Sequence, residues 1–241
     1  EKFDYNPTLK GSTAAGESIS LGFTCYATKI LYTIKSEKLN DDIFKKELIE
    51  YLKSFNQTKP GFPKNSFIDN NYLKEFKKNY PILFIKNTIK YLLGKIQLKQ
   101  ILPNYKLKEF IRAESKQTLA TLNQINYSYD LYTEGYPKTR LELKEFCNKL
   151  DWSLPWNAGA QVSAVATFNA ISGNGEDISD VFDEILINLL RNDGAYYEGQ
   201  EIGASEKING AMKIITGMDW LNVKIHKPQN LIDTCLKHVP S

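Results

Sequence analysis

The sequence predicts an all-α fold in which helical hairpins stack and close into a complete or partial α/α toroid, one domain over residues 1–241. Three observations predict it. Ala27-Thr28, Ala120-Thr121, Ala166-Thr167 and Ala211 recur with separations of 93, 46 and 45 residues, and a period near 46 is the length of two antiparallel helices with their loops. Successive helical segments also alternate in character: one set is rich in Ala, Ser, Thr, Gly and Asn, the other in Leu, Ile and Phe with charged faces. That alternation is expected when slim helices crowd round an axis and stout ones form an outer ring. Finally, no apolar run approaches the roughly 20 residues that span a bilayer, so no membrane insertion is expected, and 241 residues suffice to bury a core.

In chain order, residues 1–13 lack periodicity and read as an N-terminal arm. From Ala14 the apolar residues Ile19, Phe23, Tyr26, Ile30 and Ile34 recur at helical steps. Asn40-Asp41-Asp42 offers an N-cap for a second helix that carries Ile43, Phe44, Leu48, Tyr51, Leu52 and Phe55 and stops at Pro60-Gly61-Phe62-Pro63. Residues 64–111 read as an irregular repeat or an insertion, with short helices near Tyr72–Lys78 and Ile82–Leu98 interrupted at Pro81 and Pro103. Its lysines, 74–99, read as a solvated outer face. The clearer pattern resumes at Arg112, and helices follow over Thr139–Leu150, Ala158–Ile171, Ile178–Arg191, Ser205–Met218 and from Pro228 to Lys237.

The outer segment ending in LLRNDGAYYEG, followed by the slim segment SEKINGAMKIITGM, resembles the repeat of the terpenoid cyclase and protein prenyltransferase superfamily. There an outer helix ends in a Gln-x-x-Asp-Gly-aromatic turn ahead of an inner helix. Asp193, Gly194 and Tyr196 match the second half of that turn, Arg191 and Asn192 stand where the glutamine is expected, and Gln57, Gly61 and Phe62 supply a looser copy. The resemblance implies the toroid architecture, which other enzymes, carbohydrate-active ones included, share. It does not extend to the catalytic residues: no Asp-x-Asp-Asp run is present, and Asp233-x-Cys235 is followed only by His238 where a zinc set needs a distant histidine. No metal and no cofactor are therefore expected.

A toroid's cavity opens at the N-terminal ends of its inner helices, where free N–H groups and the helix dipole favour anions. Glu17, Glu114, Gln117, Asn157, Gln161, Glu206 and Asn209 are expected there, with Trp152, Trp156, Asp193, Tyr196 and Tyr197 on the preceding loops. Aromatic faces stack on sugars or stabilise carbocations, and Glu114 and Glu206 are the candidate catalytic acid and base. The plainer reading puts both glutamates in first turns for the dipole alone, makes Asn157 an N-cap, and makes Trp156 and Tyr196 plugs between helices. The expected function is an enzyme, or a domain derived from one, that binds a glycan or isoprenoid ligand. The alternative is a non-catalytic scaffold for a peptide or partner protein.

Lysine and arginine number 31 against 28 acidic residues, and the scattered lysines suggest no nucleic-acid partner. Cys25, Cys147 and Cys235 form no paired spacing and read as reduced thiols, from which a cytoplasmic location is expected.

Overall fold

Slim helices and stout helices pack differently, and a computed structural model shows both kinds. It describes residues 3, 5, 14–57, 60–94, 98, 101, 103–129, 136–199 and 202–238; the expected N-terminal arm lies almost wholly outside them. The chain divides into two compact units, Glu1–Glu134 and Gly135–Ser241. Among the described residues the fold is all-α except for one two-stranded sheet.

The first unit holds α1 (Ala14–Glu17), α2 (Leu21–Thr33), α3 (Asp42–Lys53), β1 (Asn56–Gln57), β2 (Ser66–Phe67), α4 (Asn70–Leu92) and α5 (Pro103–Gln124). Asp41 caps α3 as its sequence predicts, accepting hydrogen bonds from the Ile43 and Phe44 N–H groups. The helix expected to run on from Ala14 is broken between Glu17 and Leu21, and the packing face of α2 is not the expected apolar stripe. Leu21, Thr24, Cys25 and Thr28 are buried, whereas Tyr26, Ile30 and Ile34 are exposed. The reason is the partner helix. Gly22 lies beside Glu114, Cys25 Sγ is 3.9 Å from Thr118 Oγ1, and α2 meets α5 through small side chains that let the two helices approach closely.

The predicted break at Pro81 is absent. One helix, α4, runs through it from Asn70 to Leu92, although an interior proline costs about 3 kcal/mol in an isolated helix. An aromatic ladder spans the proline, with ring centroids 6.2 Å apart for Tyr72–Phe76, 5.8 Å for Phe76–Tyr80 and 6.1 Å for Tyr80–Phe84. Pro103 opens α5, a position that suits its fixed φ and missing N–H. This inner helix therefore starts well before Arg112.

The second unit holds α6 (Arg140–Asn148), α7 (Pro155–Ile171), α8 (Gly175–Leu189), α9 (Ala204–Trp220) and α10 (Pro228–Leu236). Thr139 and Glu142 form a capping box at the start of α6. The slim helices α7 and α9 lie against each other and run parallel, because their contacts step forward together: Pro155 meets Gly210, Gly159 meets Ile214, and Ser163 and Ala166 meet Gly217. Helices α6 and α8 are parallel too, with Arg140 2.6 Å from Asp180 and Lys144 3.0 Å from Glu184. Helix α8 buries Ile178, Val181, Phe182, Leu186 and Leu189, the one-sided stripe of an amphipathic helix.

In each unit a helix is followed by a short antiparallel pairing. After α8, Leu190 and Tyr196 form an antiparallel bridge, and Arg191 N–H donates to the Ala195 carbonyl at 2.9 Å. Gly194 has φ +80°, and a Cβ there would lie 2.5 Å from the Leu231 nitrogen, so no other residue fits. After α3, β1 and β2 pair across the loop, and Gln57 Nε2 donates to the Ile68 carbonyl at 3.2 Å.

Candidate functional site

In the first unit the polar groups converge where α2 begins. Ser115 on α5 holds β2 through the Phe67 N–H at 2.9 Å, which delivers Asp69 to two helix starts at once. The Asp69 carboxylate accepts from Ser20 N–H at 2.9 Å and Leu21 N–H at 3.2 Å at the head of α2, and from Asn71 N–H at 2.8 Å at the head of α4. Backbone donors thus occupy both of its oxygens. Glu114 lies next to it. Burial, and after it the negative charge of Asp69, pushes the Glu114 carboxyl up to about 7. Its Oε2 is buried without a hydrogen-bond partner among the described residues, and so is Gln117 Nε2 one turn further on, while Gln117 Oε1 accepts from Lys29 Nζ at 3.1 Å. Buried polar atoms left without partners are uncommon in folded proteins, and a catalytic role or a bound water or ion is the usual account of them. Tyr72, stacked on Phe110 with ring centroids 3.3 Å apart, walls the cluster, and its hydroxyl is raised to about 12 by burial and the nearby Glu114 charge.

Glu114 is therefore mid-helix rather than in a first turn, because α5 starts at Pro103. The dipole explanation for a glutamate at that position does not apply. Asp69, Tyr72 and Lys29 were not among the sequence candidates. Asp69 precedes Asn70-Asn71 as an N-cap would, but its bonds to Ser20 and Leu21 cross nearly fifty residues of chain and have no local signature. Glu17 lies in the single turn of α1.

The other candidates lie in the second unit. Trp156 is 45% exposed at the head of α7, where Leu154 offers no side-chain cap. Glu206 supplies one instead, its Oε2 accepting from Trp156 N–H at 3.1 Å. Asn157 accepts from Gln161 Nε2 at 2.7 Å, and Asn209 turns back on the Ser205 carbonyl at 2.8 Å. These four side chains dress the starts of α7 and α9. Trp152 instead is buried, its indole N–H bonded to the Cys147 carbonyl at 3.1 Å.

Asp193, Tyr196 and Tyr197 build the turn itself. Asp193 accepts from Ala195 N–H at 3.1 Å, Tyr197 O–H at 2.9 Å and Lys207 Nζ at 3.0 Å. Burial opposes the charge on Asp193, but the Lys207, Ala195 and Tyr197 bonds together outweigh it and the pKa is lowered. The Tyr196 ring is fully buried; its hydroxyl lies 3.6 Å from Met218 Sδ and 3.4 Å from His226 Nδ1, and His226 Nε2 is 2.9 Å from Asp183. Arg191 Nε donates to the Tyr197 carbonyl at 2.8 Å.

A groove of about 530 Å3 runs between α9 and α10, lined by Ile208, Met212, Ile215, Ile225, Leu231 and Cys235 among others. All three cysteines are free thiols. Among the described residues no group of three or more His, Cys, Asp and Glu side chains is placed to hold a metal ion, and no helix is long and apolar enough to cross a membrane. Comparison with known protein families, curated proteins and solved structures finds no match to this chain.

Proposed function

We propose that the chain is an enzyme of the α/α-toroid type, or a domain derived from one, that acts on a glycan and uses Glu114 as the group that gives or takes a proton. Parallel slim helices backed by stout ones, seen as α7 and α9 with α6 and α8, support the toroid type of repeat. The observation that carries the reading is the unequal pair at the head of α2. Asp69 is spent on three backbone amides, whereas the Glu114 carboxyl is buried, one oxygen unpartnered, and raised to about 7. A carboxyl that holds its proton near neutral pH is matched to protonating a glycosidic oxygen and to taking the proton back from water. Protonating an unactivated alkene, as isoprenoid cyclisation requires, asks for a far stronger acid, which favours the glycan over the isoprenoid. Trp156, Asn157, Gln161 and Asn209 present an aromatic face and amides of the kind that bind sugars, and Glu206 serves there as a helix cap.

The test is turnover on a panel of oligosaccharides and polysaccharides, read as new reducing ends. Glu114→Gln is expected to lower kcat by about 10²–10⁴-fold, Glu206→Gln to leave it nearly unchanged, and the wild-type pH profile to carry a limb near 7. A Glu114→Gln variant with wild-type turnover would refute the assignment.

The second reading, a helical scaffold for a peptide or partner protein, rests on the apolar groove between α9 and α10. No turnover on any glycan, together with an amphipathic peptide that shields Cys235 from thiol reagents, would favour it.

A further inference from the structure

Helix α4 buries little: Asn87 is its one fully buried side chain among those described. Along its second half Ile82, Ile85, Ile89 and Leu92 are 57, 60, 52 and 75% exposed. Their 3-4-3 spacing sets them in one stripe, with Leu93 beside it and Asn87 on the opposite side. A soluble helix normally turns such a stripe inward. Here the lysines that were expected to form a plain solvated face flank exposed isoleucine and leucine instead. Lys86 and Lys90 stand on one shoulder of the stripe, and Lys78, 3.9 Å from Glu75, stands one turn earlier.

The charge around the stripe is one-sided. From Phe76 to Lys108 the sequence has eight lysines and no aspartate or glutamate. The whole first unit carries 21 basic against 14 acidic residues, while the second carries 10 against 14. Whatever meets this face must accept aliphatic side chains in the middle and cations around them. A second copy of the same stripe would set lysine against lysine. Nucleic acid matches the charge but has no place for four aliphatic side chains, and the bases it stacks would seek aromatic ones.

We propose that the second half of α4 is an interfacial helix that lays Ile82, Ile85, Ile89 and Leu92 into the surface of an anionic lipid bilayer, with Lys78, Lys86 and Lys90 on the headgroups. Such a helix lies in the plane of the membrane and does not cross it. Apolar burial and the attraction of lysines to acidic lipid add, so either half alone binds weakly.

The test uses the full chain with vesicles of phosphatidylcholine alone or mixed with phosphatidylserine, separated by flotation. Binding is expected only to the mixed vesicles and is expected to weaken as salt is raised. Ile85→Asp with Ile89→Asp, and separately Lys86→Gln with Lys90→Gln, should each reduce binding by roughly tenfold or more. Both pairs are exposed, so far-ultraviolet circular dichroism should match wild type and show that folding is retained. Equal binding to both vesicle types, or to neither, overturns the proposal. So does a concentration-dependent dimer that the isoleucine variant abolishes, which would give the stripe to a second copy. Binding of a DNA duplex that survives the isoleucine variant and fails with the lysine variant would likewise overturn it.

Discussion

Replacing Gly210 by alanine should destabilise the second unit, although alanine is the better helix former. A Cβ at 210 would lie 2.7 Å from Pro155 Cβ, 2.8 Å from its carbonyl carbon and 2.9 Å from its oxygen. Two of these atoms belong to the backbone that opens α7, which cannot swing aside as a side-chain tip can. Overpacking of a fixed contact costs about 1–3 kcal/mol, and the upper end applies where backbone must move. The gain from glycine to alanine inside a helix is about 1 kcal/mol, which leaves a net loss of roughly 2 kcal/mol. For a unit of about 100 residues that lowers the unfolding midpoint by roughly 10 °C. All three tryptophans, Trp152, Trp156 and Trp220, lie in Gly135–Ser241, so tryptophan fluorescence during heating reports this unit alone. Gly22→Ala is the control of opposite sign. Its added Cβ meets only Glu114 Oε1, at an ordinary 3.8 Å, so the change should stabilise the first unit by up to roughly 0.5 kcal/mol, seen as slower amide exchange in α2. A Gly210→Ala midpoint equal to or above wild type would show that α7 and α9 do not approach this closely.

Three further outcomes follow from the charges and thiols. Glu114 has a folded pKa raised above its unfolded value, so the folded state holds more protons between about pH 4.5 and 7, and the first unit loses stability as pH rises through that window. Glu114→Gln should flatten the loss, which is on the order of 3 kcal/mol, and exchange of α5 amides at several pH values would measure it. Asp193 has the opposite sign: its folded pKa is lowered, so its contribution is present above about pH 4 and fades as pH falls through the folded value. Tryptophan-detected acid unfolding of Asp193→Asn should lack that phase. Cys25 and Cys147 are buried, with thiols pushed up to about 11 and about 12 chiefly by burial, so a thiol reagent on the native protein should label Cys235 first and the other two only at the rate of unfolding.

The helices of the second unit were legible to within about one turn at each end. The Asp193-Gly194 turn follows α8 and Pro228 starts α10, each a local stop or start that needs no tertiary context, whereas α8 opens at Gly175, ahead of the expected Ile178. The recurrence of Ala166 and Ala211 pointed to slim helices crowding together, and α7 and α9 do lie against each other. What failed did so for non-local reasons. Ile19, Phe23, Tyr26, Ile30 and Ile34 recur at helical steps, but α2 meets α5 through Gly22 and Cys25, where slender side chains permit the closer approach. Pro81 looked like a break, yet α4 runs through it, with Phe76, Tyr80 and Phe84 in ring contact along the same stretch. Glu114 was found as a residue and misplaced as a position. Burial, and after it the charge of Asp69, raises its proton affinity, and no local pattern connects either to it.

Asp69 also ties the starts of α2 and α4 together. Amides from two helices claim its oxygens, so it cannot turn toward a visitor without loosening both helix starts. The neighbouring carboxyl is left as the one adjustable member, and the chain's own backbone, before anything binds, decides which of the two side chains is free to move.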